Sequence, residues 1–347
     1  MTVSIRASIW RRFSVGSERK RVVSSLIEAE QKVMALAAVQ KAGSIVIASH
    51  VDPDGDAIGS SLAWALILRK LGKKVAVYNR DKIPYSLTFL PGADEFFVNS
   101  LPEHCDLLCL LDCSEIERAG EELAGWRGYE RSLCIDHHLT TAYSADINLV
   151  YPYACATGEL IYDLALCLYP GFRLDVALNL YTAILTDTGS FRYSNSTPNS
   201  FAIAGDLVAR GVEPWIVTQQ VYESQPLGRI KLLGLVLGSL KLSASGKVAA
   251  ISITQAMFDE TGTNSEYTDG MVNYPRSIMG VEVAFMARET APGRYKLSFR
   301  SRGTVNVAQL AAEFGGGGHH NAAGCRLDGR LPELIEHVFA LVDGRLQ

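Results

Sequence analysis

The 347-residue sequence has no stretch approaching the ~18 apolar residues that a membrane span requires, so no membrane partner is expected. It also lacks an excess of positive charge: 33 lysines and arginines stand against 37 acidic residues, a net charge of −4. A protein that coats long nucleic acid needs a broad basic face, and this balance argues against one. It leaves room for a local basic pocket around a small anionic substrate. Cysteines are few, seven in all, and no two form a C-x-x-C pair. Cys105, Cys109 and Cys113 are spaced like a ligand ladder. At ~3.3 Å per strand residue, however, neighbours four apart are about 13 Å apart and cannot share one ion. Buried free thiols in a reducing compartment account for all seven, and the expected location is cytoplasmic. There is no internal repeat and no low-complexity tract.

What is present reads as a soluble globular chain, 48% apolar and 20% charged, long enough for two domains. A basic arm, residues 1–21, carries Arg6, Arg11, Arg12, Arg19, Lys20 and Arg21 without the apolar block of a signal peptide. From 22 to 210 short apolar runs alternate with amphipathic ones. Helix is expected over 22–41, strand over 44–48, helix over 57–71, and strands over 74–78, 107–111 and 133–135. A helix is expected near 115–124. Strands separated by helices imply a parallel sheet with helices on its faces. Helices at 158–169, 175–186 and 198–210 follow, with a short strand at 190–194. Residues 211–242 read as a helical linker, and 243–347 as a smaller α+β domain. In that domain strands are expected over 248–253, 281–288, 295–300 and 322–327, and helices over 305–314 and 331–341.

Acids and imidazoles collect just past the ends of the apolar runs. Ile45-Val46-Ile47-Ala48 leads into Ser49-His50-Val51-Asp52-Pro53-Asp54-Gly55-Asp56. Leu107–Leu111 ends in Asp112, Leu133-Cys134-Ile135 in Asp136-His137-His138, and the helix closing on Thr186 delivers Asp187. One such carboxylate is commonly a cap or a turn former. Four sites in one sheet, with two adjacent histidines, are hard to explain so. Histidine with several aspartates and no thiolate suits Mn²⁺, with Mg²⁺, Co²⁺ and Zn²⁺ as competitors. So many carboxylates are better balanced by two divalent ions than by one.

These residues, His50-x-Asp52-Pro53-Asp54-Gly55-Asp56-Ala57-x-Gly59-Ser60, Asp112, Asp136-His137-His138 and Asp187-Thr188-Gly189, resemble the successive motifs of the DHH phosphoesterase superfamily. Gly315-Gly316-Gly317-Gly318-His319-x-x-Ala322-Ala323-Gly324 resembles the signature of its DHHA1 domain, and the layout is similar to the nanoRNase and phosphoadenosine-phosphate phosphatase group. The resemblance implies that His50 and Asp54 hold one metal, Asp56 and His137 the other, and that Asp112 and Asp187 touch both. It implies that Asp136 orients an imidazole and that His138 faces the substrate phosphate, while Asp52 caps the loop. Arg300, Ser301 and Arg302, the glycines Gly316, Gly317 and Gly318, His319 and Arg192 are expected to contact substrate.

The implied activity is hydrolysis of short oligoribonucleotides to mononucleotides, of 3′-phosphoadenosine 5′-phosphate, or of both, by a hydroxide bridging two metals, with the second domain closing over the nucleotide end. A cyclic- or linear-dinucleotide phosphodiesterase is the alternative within the superfamily. A catalytically inactive nucleotide-binding regulatory module is the alternative of another class, although every metal position is filled. The sequence leaves oligomeric state open, a homodimer included.

Overall fold

The computed structural model describes residues 25–138, 145–303 and 305–346, without the side chains of Phe96 and His319. The basic arm therefore lies outside the described residues. The chain divides into two compact units, one up to Glu223 and one from Ser224 on.

In the first unit, helix α1 (Ala29–Lys41) precedes β1 (Ser44–Ala48), α2 (Gly55–Lys70), β2 (Lys74–Tyr78), α3 (Ala93–Phe96), β3 (Phe97–Val98) and β4 (Cys105–Leu111). Then come α4 (Glu121–Gly125), β5 (Tyr129–Asp136), β6 (Ile147–Val150), α5 (Thr157–Leu168), α6 (Leu174–Asp187), α7 (Pro198–Ala209) and α8 (Pro214–Thr218). The six strands form one sheet in the order β3-β2-β1-β4-β5-β6, with every pairing parallel. Both faces are covered, which is why the strands read as apolar runs. Ile45 and Ile47 of β1 enter the core beneath α2, α5 and α6, whereas Val46 and Ala48 enter a second core on the other face. The strand order reverses between β1 and β4. In open α/β sheets the crevice at the carboxyl ends of the strands beside that switch is where ligands bind. The segment from His50 to Asp54 follows β1 and Asp112 follows β4.

The second unit contains α9 (Leu227–Gly238), β7 (Lys241–Leu242), β8 (Val248–Ile253), α10 (Gln255–Thr261), α11 (Asn273–Arg276), β9 (Val283–Ala291), β10 (Arg294–Ser301), α12 (Val307–Ala312), β11 (Gly317–His319), β12 (Ala322–Asp328) and α13 (Leu331–Asp343). Its sheet runs β11-β12-β10-β9-β8-β7; only β8 and β9 pair in parallel. Phe285, Phe299 and Phe339 meet in the core beneath α12 and α13.

Several expectations need correction. The strand expected at 190–194 is a turn: Gly189, Ser190 and Phe191 all have φ near +60°, and the Ser190 N–H returns to the Leu185 carbonyl at 2.7 Å, closing the end of α6. The helix expected at 115–124 is split by Gly120 at φ +104° into a 3-10 turn, Ile116–Ala119, and α4. The helical segment expected at 211–242 contains α8, extended by a π turn to Glu223, and α9, with Pro226 as the N-cap of α9. Strands β3 and β6, at the two edges of the parallel sheet, were not expected.

The glycine run is not a free loop. A Cβ at Gly316 would lie 2.1 Å from the Gly324 carbonyl oxygen, and one at Gly318 2.5 Å from that of Ala322. Gly318 also has φ +144°, which a side chain would strain. These glycines let β11 pair closely with β12, in the register Gly317 to Gly324 and Gly318 to Ala323.

Candidate metal centre

The loop after β1 is built to present side chains. Asp54 is the N-cap of α2: its Oδ1 accepts from the Asp56 and Ala57 N–H groups, both at 3.0 Å. Asp52 has φ +53° and donates its own N–H to Asp81 Oδ2 at 2.8 Å. Asn79, at the end of β2, donates to Ser49 Oγ and to the His50 carbonyl. Asp52 thus shapes the loop and lies outside the ligand groups below, and Asp81 and Asn79 are its unforeseen supports.

Two groups of potential ligands form, each with three donor atoms within 4.8 Å of one another: His50, Asp54 and Asp112, and Asp56, His137 and Asp187. His50 Nδ1 sits 2.8 Å from the Val51 carbonyl, which can only accept, so Nδ1 carries the hydrogen and Nε2 faces the site. That Nε2 is 3.4 Å from Asp112 Oδ2 and 4.0 Å from Asp54 Oδ1. His137 is fixed in the same way by the Ala154 carbonyl at 3.2 Å. Its Nε2 is 3.7 Å from Asp56 Oδ2, 3.6 Å from Asp112 Oδ1 and 3.7 Å from Asp187 Oδ2. Asp112 therefore turns one oxygen to each group. It does so from φ +58°, a left-handed conformation that costs about 1–3 kcal/mol for a non-glycine residue.

Asp136 is fully buried. Its Oδ1 accepts from His138 Nδ1 at 2.7 Å and from the His138 N–H at 3.0 Å, and its Oδ2 accepts from Ser114 Oγ at 2.5 Å. It orients His138, as carboxylates around metal sites orient imidazoles. His138 also forms a group with Asp112 and His137, its Nδ1 lying 3.4 Å from Asp112 Oδ1. A further group among the described residues, His104, Asp106 and Glu130, lies at the amino ends of β4 and β5. Asp106 is occupied there by the Gly43 and Ser44 N–H groups.

The electrostatics ask for cations. Burial and the neighbouring Asp112 push Asp56 well above the usual carboxylate range. Burial raises Asp187 to about 7, although His137 pulls the other way. Burial alone would lower His50 and His137, but Asp112 and its companion carboxylates hold each up at about 9. For Asp112 burial is outweighed by three imidazoles, and its carboxyl stays well below the ordinary range. Crowding of the buried carboxylates thus favours bound protons. Divalent cations supply the same charge to a set of oxygen and imidazole donors that suits them. The cysteines take no part: burial raises Cys109 and Cys113 to about 12 and Cys105 to about 11, and none joins a ligand group.

Residues 44–186 match the DHH family, N-terminal domain, and residues 245–346 match the DHHA1 domain. The chain is 34% identical over 317 residues to the bifunctional oligoribonuclease and PAP phosphatase NrnA of Thermus thermophilus, covering 90% of this chain and 94% of that protein. The chain belongs to the DHH family. It is 28% identical to the NrnA of Bacillus subtilis over 82% of this chain and 89% of that one. Among solved structures, an exopolyphosphatase-related protein from Bacteroides fragilis superposes with a TM-score of 0.86 at 29% identity, covering 93% of this chain and 99% of that one. The DHH match contains every ligand candidate except Asp187, which follows its last residue.

On the second unit the expected substrate residues divide. Ser301 is buried, and its hydroxyl donates to Asn321 Oδ1 at 2.9 Å, so its side chain serves the fold instead of a ligand. Arg302 is exposed and donates to the carbonyls of Arg276 and Ile278. Arg300 is half-buried with NH1 on the Phe299 carbonyl, and the His319 side chain lies outside the described residues. In the first unit, Arg192 is exposed and its Nε donates to the Gly189 carbonyl at 2.7 Å. The sequence reading missed Ser60, Thr157, Gly158 and Asn195. Ser60 Oγ, Thr157 N and Gly158 N all donate to Asp56, and Asn195 Nδ2 donates to Asp187 Oδ2 at 3.0 Å. Ser60 lay inside the first motif; Thr157 and Gly158 carry no signal in sequence because their partner Asp56 is about a hundred residues away, and Asn195 reaches Asp187 across the turn that closes α6.

Proposed function

We propose that this protein is a phosphoesterase that hydrolyses short oligoribonucleotides to mononucleotides and 3′-phosphoadenosine 5′-phosphate to its monophosphate. The observation that carries the hydrolytic reading is the pair of ligand groups sharing Asp112 at the switch point of the sheet. The substrate class follows from whole-chain similarity to relatives named for both activities.

His50, Asp54 and Asp112 would hold one divalent cation and Asp56, His137 and Asp187 the second, with Asp112 reaching both. Mn²⁺ is the first choice for this donor set, and Mg²⁺, Co²⁺ and Zn²⁺ are the others to test. When bound, such a pair supplies Lewis-acid charge to the phosphoryl group and a water acidic enough to attack it. The protein's own contribution is orientation. The carbonyls of Val51 and Ala154 point the Nε2 atoms of His50 and His137 inward. Asp136 holds His138 by Nδ1, making Nε2 the nitrogen assigned to a phosphoryl oxygen, where an imidazolium offsets the charge that develops. Burial disfavours that charged form, but the Asp136 hydrogen bond raises the His138 pKa above its ordinary value.

Arg300, Arg302, His319, the backbone at Gly317 and Arg192 are the groups assigned to the remaining substrate phosphates and sugar. The seven unpaired cysteines, six buried and Cys167 exposed against the expectation that all are buried, fit a reducing compartment, in keeping with a cytoplasmic enzyme. Among the described residues no helix is long and apolar enough to cross a membrane.

The test is a parallel assay of the purified protein with Mn²⁺ on a ribodinucleotide, phosphoadenosine phosphate, cyclic di-AMP and pyrophosphate. Release of mononucleotide from the first two supports the reading. Turnover of cyclic di-AMP alone moves the protein to the cyclic-dinucleotide phosphodiesterases, and turnover of pyrophosphate alone sinks the proposal.

A further inference from the structure

Thr157 is fully buried at the first position of α5. A threonine at the start of a helix commonly spends its hydroxyl on its own helix. Here the cap position is Ala156, with no side-chain cap bond. The Thr157 hydroxyl instead donates across the site to Asp112 Oδ1 at 3.1 Å. The Thr157 backbone N–H donates to Asp56 Oδ2 at 2.6 Å, and the next N–H, from Gly158, to Asp56 Oδ1 at 2.9 Å. One residue thus grips a carboxylate of one ligand group and the carboxylate common to both.

The grip is selective. Asp112 Oδ1 is the oxygen that faces His137, while Oδ2 faces His50. A donor on Oδ1 alone fixes the rotation of that carboxylate and so decides which oxygen each cation would meet. The clamp on Asp56 is made by backbone and survives any change at 157 other than to proline. Close packing keeps the helix start in place: a Cβ on Gly158 would come within 2.7 Å of Ala183 on α6.

We propose that Thr157 is the positioning residue that registers the two cation sites to each other, by locking the orientation of Asp112 against an α5 terminus that already holds Asp56. The inference rests on the ligand assignment above and is independent of the substrate. Residues around metal ligands typically contribute about 10–100-fold to metal affinity, and the loss here falls on one ion of the pair.

The experiment compares wild type, Thr157→Val, which keeps the shape without the hydroxyl, and Thr157→Ser, which keeps the hydroxyl. Mn²⁺ is titrated calorimetrically into chelator-stripped full-length protein, and the loaded proteins are examined by electron paramagnetic resonance for exchange coupling between the ions. Wild type and Thr157→Ser are expected to take two equivalents and show the same coupled spectrum. Thr157→Val is expected to bind one of its two equivalents about 10–100-fold more weakly than wild type, with altered coupling. Its stripped form is expected to unfold only a few degrees below wild type, as the loss of one buried hydrogen bond requires. Wild-type affinities and coupling in Thr157→Val overturn the proposal. So does a stripped Thr157→Val that unfolds early together with Thr157→Ser, since Thr157 would then act through packing. If wild type itself takes fewer than two equivalents, the ligand assignment fails and the proposal falls with it.

Discussion

The two ligand groups share Asp112 but are built differently. The His50 group is open: the Asp54 side chain is 57% exposed, and its hydrogen bonds serve the first turn of α2. The Asp56 group is closed. Asp56 is 1% exposed and accepts from Ser60, Thr157 and Gly158, while Asp187 accepts from Asn195. Even the helices beneath it are pressed together, since a Cβ on Gly59 of α2 would stand 2.6 Å from the Asn179 carbonyl of α6. The difference separates a site whose carboxylates are held by hydrogen bonds from one with an exposed carboxylate. Preorganised ligands lose less freedom on binding, so the closed group should hold its cation more tightly.

The largest effect is expected where the comparison disappears. Asp112→Ala removes the carboxylate common to both groups, and hydrolysis should fall by more than about 10³-fold, beyond the cost of losing a supporting residue. Metal analysis after dialysis should find less than one ion per chain, and two retained ions would show that Asp112 is not shared. Next come the unshared carboxylates. Asp56→Asn should abolish the tighter of two Mn²⁺ binding events, whereas Asp54→Asn should weaken only the looser one, as read by titration calorimetry. The opposite pattern would reverse the ranking of the two groups.

Metal removal has a pH signature. Asp187 at about 7 instead of 3.8, and His50 and His137 at about 9 instead of 6.5, mean that the folded metal-free protein holds more protons than the unfolded chain between those values. Raised groups contribute stability that is present below their ordinary pKa and lost as pH rises through the folded one. Chelator-treated protein should therefore lose melting temperature from about pH 5 to pH 9. Saturating Mn²⁺ should remove or reverse the trend, because ligands must be deprotonated to bind it. A flat profile in chelator would mean that the carboxylates are not crowded as described. The smallest effect is expected on the second unit. Arg302→Ala should raise KM for phosphoadenosine phosphate about tenfold with kcat little changed, the mark of binding that does not favour the transition state.

Much of this was legible in the linear sequence. Strands β1, β2 and β8 have the expected limits because their apolar runs are bounded by turn residues. The succession of acids at strand ends held the resemblance to the family. Less legible was anything that depends on which chains lie side by side. The glycine run gave no sign of a strand because one strand does not announce that its neighbour needs the space. Ser301 shared the segment of Arg300 and Arg302, yet its alternate parity in β10 turns it inward. The segment 190–194 has strand-like residues, but its backbone is spent on closing α6.

By itself the sequence determined the kinds of ligand, their order and their places at the ends of apolar runs, since those follow from residue chemistry and local periodicity. Only the tertiary structure decided that one carboxylate serves two groups, that one group is closed and the other open, and that Thr157 and Gly158 belong to the site. The physical reason is distance along the chain. Asp56 and Thr157 are 101 residues apart in sequence and 2.6 Å apart in space, and no local pattern records a hydrogen bond of that span.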